Sequence, residues 1–104
     1  MKIVFWSPSS GDGPAVGEFD VELDSGLVLC RLRMMRSAAG FPWLSLPSQK
    51  AWNPNGTPVL RSDGRQMWRP LIRFRDQKVE KSFRQQVLAA LQAEYPQLFD
   101  GKPR

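Results

Sequence analysis

From Glu18 to Asp24 the chain alternates: Phe19, Val21 and Leu23 point one way, and Glu18, Asp20, Glu22 and Asp24 the other. A period of two predicts a strand with one buried face. Asp24-Ser25-Gly26 then predicts a hairpin turn, with Gly26 free to take positive φ. Leu27 to Met34 returns as a second strand, with Val28, Cys30, Leu32 and Met34 on one face and Leu27, Leu29, Arg31 and Arg33 on the other. Cys30 falls on the apolar face and is expected to be buried. The run Arg36-Ser37-Ala38-Ala39-Gly40 predicts another turn, and Phe41 to Leu46 a third strand whose Pro42 favours an edge position. Trp43, inside that apolar strand, is expected in the core. Met67 to Arg75 alternates again, Trp68, Pro70, Ile72 and Phe74 against Arg69, Leu71, Arg73 and Arg75.

After Arg75 the period changes. Val79, Phe83, Val87, Leu91 and Tyr95 recur every four residues, the apolar stripe of an amphipathic helix. Asp76 is its expected N-cap and Pro96 its stop. The expectation is a single α+β domain over residues 1–104. It has an N-terminal strand or loop extension (1–17, with 7–17 as loop) and an antiparallel sheet of about four to five strands within 18–75. A helix over 76–95 packs on one face of the sheet, and a fraying tail spans 96–104. Residues 47–66, dense in Pro, Gly, Asn and Asp, read as a long irregular loop, of a length that is usually functional or mobile.

Composition narrows the chemistry. The chain of 104 residues has no histidine and one cysteine. Ser-His and Cys-His nucleophilic sites and His-bearing zinc sites are therefore impossible within one chain, and no internal disulfide can form. Among the carboxylates that remain for acid–base work, Asp20, Glu22 and Asp24 form an exposed row with no nucleophile beside them. No catalytic residue, metal site or small-molecule cofactor is expected. No run approaches the roughly 20 apolar residues that span a bilayer, and the opening apolar stretch is too short for a secretion signal. The expectation is a cytoplasmic protein without membrane contact.

Charge is uneven. Residues 1–30 carry Lys2 against five carboxylates, whereas residues 31–84 carry twelve basic residues, nine of them arginine, against Asp63, Asp76 and Glu80. So basic a centre points to a polyanion, DNA or RNA above all, because arginine forks onto phosphate and stacks on bases. With the apolar faces of both strands under the helix, Arg31, Arg33, Arg69, Arg73 and Arg75 would share the opposite sheet face. Carboxylates of strand 18–24 could pair with arginines of a neighbouring strand and blunt that patch. Between Trp43 and Trp52 the chain reads Leu-Ser-Leu-Pro-Ser-Gln-Lys-Ala, so Lys50 and Trp52 offer a cation and an indole face to a nucleotide strand. Trp52 is equally consistent with the core, and Ser48 is expected to cap a turn.

Gly40, Leu46-Pro47-Ser48-Gln49-Lys50, Asn55-Gly56, Leu71-Ile72-Arg73-Phe74 and the helix segment Phe83 with Val87-Leu88-Ala89-Ala90-Leu91 resemble, in that order, the SpoVG-like family, named for stage V sporulation protein G. The resemblance covers about residues 19–95. It implies a small α+β fold, often a homodimer, that binds DNA or RNA as a bacterial regulator. Gln49 stands where the family usually has a basic residue, Ala51 replaces a common threonine, and the loop after Lys50 is longer. A phage- or plasmid-borne relative fits these departures. The leading expectation is thus a non-enzymatic nucleic-acid-binding accessory or regulatory protein acting as a homodimer. The alternatives are a single-stranded DNA-binding module resembling the PC4-like coactivators and a protein-interaction module that recruits an acidic partner. Homodimerisation is also expected on physical grounds, since a small sheet with one helix leaves edges and core exposed.

Overall fold

Phe19 and Val21, the centre of the first alternating run, are almost fully buried, and the sheet is built around them. The computed structural model describes residues 1–11 and 13–99. Four antiparallel strands lie in chain order: β1 (Lys2–Pro8), β2 (Ala15–Glu22), β3 (Val28–Arg36) and β4 (Pro42–Ser45). The helix α1 (Gln77–Glu94) lays Val87 and Leu91 against Ile3, Phe19, Val21, Leu32, Met34 and Leu44. The protein is α+β, with one helix packed on an antiparallel sheet. Asp76 caps α1 as its sequence predicts, accepting from the Val79 N–H at 2.9 Å, and Pro42 lies on the edge strand. No helix among the described residues is long and apolar enough to cross a membrane.

Two segments expected to be irregular are ordered. Residues 7–17 are not one loop: Ser7 and Pro8 belong to β1, and residues 15–17 belong to β2. Fraying of the tail also fails for residues 97–99. Pro96–Phe99 forms a 3₁₀ turn whose Leu98 and Phe99 pack on the core, and Arg36 donates to the Leu98 carbonyl. Residues 100–104 lie outside the described residues.

Bulges shift the strand faces. In β3, Cys30 and Arg31 together oppose Asp20, since Phe19 pairs with Leu32 and Val21 with Leu29. Arg31 takes φ +66, and its N–H donates to Asp20 Oδ1 at 3.0 Å. The extra residue reverses the alternation before it. Leu29 therefore packs on the core, while Val28 and Cys30 are exposed, contrary to the expected burial of Cys30.

Residues 47–66 are not an irregular loop. Their first part is β5 (Ser48–Lys50), which pairs with β6 (Trp68–Pro70) as a separate two-stranded stem. Two short hairpin arms leave the stem, bridged at Trp52–Pro58 and Leu60–Gln66. They meet at three backbone bonds: Ala51 N–H to Met67 O, Val59 N–H to Ala51 O, and Met67 N–H to Val59 O, 2.9–3.0 Å long. Ala51 is buried at that junction. Both arm tips, Asn53–Gly56 and Arg61–Gly64, bond in the same way as the turns Leu23–Gly26 and Ser37–Gly40. In each, the glycine N–H returns to the first residue's carbonyl, and the glycine φ lies between 83 and 91°. A β-carbon is costly in that region, which is why all four turns end in glycine.

Candidate nucleic-acid interface

The strand expected over 67–75 is paired only over Trp68–Pro70, and it lies in the stem rather than in the sheet of β3. The five arginines consequently do not share one sheet face. Arg31 and Arg33 lie on β3, Arg69 on the stem, and Arg73 and Arg75 on the segment leading to α1. The β4–β5 connection gathers some of them again.

Residues Ser45, Leu46, Pro47, Ser48 and Trp68 make a ridge with a cleft on each side. One cleft, of about 270 Å³, is walled by Arg31, Arg33, Glu18 and Leu71. The other, of about 500 Å³, is walled by Trp43, Arg73, Phe74, Glu80 and Arg84, among others. Leu46 and Pro47 put the ridge here: Leu46 packs on the core, and Pro47 uses its carbonyl to accept the Leu71 N–H at 3.0 Å. Ser48, expected to cap a turn, instead starts the stem strand opposite Pro70.

Trp68, expected on an inner face with Ile72 and Phe74, is 54% exposed. Lys50 lies across the stem from it, with Nζ 5.8 Å from the ring centroid, within cation–π range. Trp43 is 46% exposed instead of buried, because its neighbour Leu44 takes the inward position of the short strand. Trp52 is exposed on the first arm and lines neither cleft.

Carboxylates blunt part of the charge. Glu18 Oε1 is 3.6 Å from Arg33, the cross-strand pairing its sequence predicts. Arg75 contacts Asp76 at 3.3 Å, which ties it to the helix cap. Arg84, at 2.9 Å from Glu80, also donates to the Leu44 carbonyl at 2.6 Å and so occupies part of the free edge of β4. The side chains of Arg31, Lys50, Arg69 and Arg73 form no ion pair among the described residues. Away from the interface, the Met1 ammonium, 2.7 Å from Asp24, holds that carboxyl below its ordinary range through a hydrogen bond and its charge.

The stem and arms add residues that periodicity did not single out. Arg61 and Arg65 lie on the second arm with Leu60, and Leu60 and Met67 are exposed, as is Leu71, which the alternation had already set among the arginines. The available signal was Asn55-Gly56 and Asp63-Gly64, two hairpin dipeptides eight residues apart. Among the described residues no group of three or more His, Cys, Asp or Glu side chains is placed to hold a metal ion. No match to the chain was found among models of protein families, curated proteins or solved structures.

Proposed function

We propose that the protein is a non-catalytic nucleic-acid-binding protein of the cytoplasm, an accessory or regulatory factor that grips DNA or RNA with its ridge, stem and arms. One observation carries this reading. From Ser48 to Arg75 the chain bears six Lys and Arg against Asp63 alone, and it exposes Trp52, Leu60, Met67, Trp68 and Leu71 beside them. Cations spread among uncovered indole and aliphatic surface suit a ligand that is anionic along its backbone and apolar on its bases. The resemblance to SpoVG-like regulators, whose Pro-Ser signature here falls on the ridge and stem, supports the same reading.

The test is fluorescence anisotropy of labelled oligonucleotides at low salt. The double variant Lys50→Ala/Arg69→Ala should weaken binding by about tenfold or more. Lys78→Ala/Lys81→Ala, on the exposed side of α1, should leave it nearly unchanged. Equal losses from both pairs would leave only diffuse charge and reject a defined interface.

A further inference from the structure

We propose that the larger cleft, between Trp43 and Trp68, receives an unstacked nucleobase, so that the preferred ligand is a single strand rather than a duplex. This inference rests on the nucleic-acid reading above and sharpens it.

Three features of the cleft lead there. Its walls combine Trp43 and Trp68, both about half exposed, with Leu44, Leu46, Pro47, Pro70, Ile72 and Phe74. Apolar and aromatic residues make up the larger part of that lining, with Ser45, Ser48, Arg73, Glu80 and Arg84 completing it, and a volume of about 500 Å³ falls in the range of small-molecule sites. Its charges are divided. Arg84 is committed to Glu80 and to the Leu44 carbonyl, whereas Arg73 makes no ion pair among the described residues. A phosphate placed deep in the cleft would meet the Glu80 carboxylate; a neutral base would not. The phosphates are better held outside, by Arg73 on one side of the ridge and by Arg31 on the other, where Arg33 is already paired with Glu18.

A duplex cannot use this arrangement. Its base faces are sealed by stacking, and the ridge offers neither a helix nor a long two-stranded ribbon to enter the major groove. Only the cations would then be engaged. A single strand can turn a base onto Trp68 or Trp43 while its backbone follows the ridge, and stacking of that kind tolerates any sequence.

The experiment compares three probes: a single-stranded oligonucleotide, the duplex of the same sequence, and heparin as a polyanion without bases. The wild type should prefer the single strand to the duplex by about tenfold or more. Trp68→Ala and Trp43→Ala should each lose about 5- to 150-fold on the single strand and leave heparin binding unchanged, while Trp68→Phe keeps most of the affinity. Both tryptophans are exposed, so the variants should melt like the wild type; if Trp68→Ala does not, Trp43→Ala and Trp68→Phe decide. Equal affinity for the single strand and the duplex overturns the inference but leaves the nucleic-acid reading standing. A single-strand preference that neither tryptophan variant reduces also overturns the cleft assignment. Failure of the wild type to bind any of the three probes at low salt overturns both readings.

Discussion

At Phe5 the backbone takes φ +55, a region that costs a residue with a β-carbon about 1–3 kcal/mol. The bulge there sets two residues of β1, Phe5 and Trp6, against the single Phe19 of β2. Phe5 is left 82% exposed, and Trp6 turns inward, its ring 6.0 Å from Phe19 and 5.4 Å from Tyr95. The strain is thus offset by an aromatic stack that ties β1 to the end of the helix. Gly17 completes the fit. A β-carbon at that position would fall 2.5 Å from the Trp6 ring and 2.9 Å from the Ser7 carbonyl. Because the near atoms include backbone, the neighbours cannot simply rotate away. Gly17→Ala should therefore destabilise the fold by about 1–3 kcal/mol, read as a lower urea midpoint with an unchanged slope. An unchanged midpoint would mean that Trp6 does not lie over Gly17.

The elements differ in what holds them. α1 and β1–β4 share one apolar core, and that packing also made α1 and β2–β4 legible in the sequence; β1, interrupted by its bulge at Phe5 and Trp6, was expected only as part of a strand or loop extension outside the sheet. A period of four from Val79 to Tyr95, or of two from Phe19 to Leu23, exists because one side of each element meets a core. Where a bulge adds one residue, the period slips, and the faces at Val28 and Cys30 invert; no alternation rule contains Arg31 and its left-handed backbone. Stem and arms were illegible for a different reason. Their paired segments run for only a few residues, and only Ala51 among them is buried, so there is no inside to impose a period. Their tips are held by local polar bonds instead. Asn55 Oδ1 accepts from the Thr57 N–H at 3.1 Å, and Asp63 Oδ1 from the Arg65 N–H at 3.0 Å. Small two-stranded pieces without a core are marginally stable. Native-state hydrogen exchange should accordingly divide the molecule. Amides of Ala51, Val59 and Met67, although bonded, should exchange through local opening far faster than those of Phe19, Val21 and Leu32. Equal protection in the two groups would show that stem and arms unfold only with the core.

For the molecule as a whole, the radius of gyration is 15.7 Å, against about 13 Å for a compact domain of this length. Stem and arms contribute to that spread, since β5 and β6 contact each other and pack little on the four-stranded sheet. Such a body presents much basic and apolar surface for its mass. A second copy would cover some of the sheet edges this leaves, and sedimentation equilibrium at tens of micromolar should show a homodimer; a monomer throughout would reject pairing. The proposed grip on a polyanion has its own signature. Around the ridge and stem, Arg31, Lys50, Arg69 and Arg73 are the cations outside any ion pair among the described residues, which sets about four phosphate contacts per chain; Arg65 on the second arm, also outside any ion pair, adds one more only where the arm closes on the strand. Each contact releases counterions, so the log–log dependence of affinity on salt should slope at about −2.8 on a single strand and about −3.6 on a duplex. Between roughly 50 and 200 mM salt those slopes correspond to losses of roughly 50- and 150-fold. Arg73→Ala should flatten the single-strand slope by about 0.7 and weaken binding to unrelated sequences alike. Trp52→Ala separates charge from stacking on the arm. If a base rests on that exposed ring, the variant loses about 1–3 kcal/mol of affinity while its slope stays at the wild-type value. If the arm only brings charge near the strand, Trp52→Ala changes neither. Anisotropy titrations across a salt series, with the wild type and both variants, distinguish the cases, and binding that ignores salt would reject the phosphate contacts altogether.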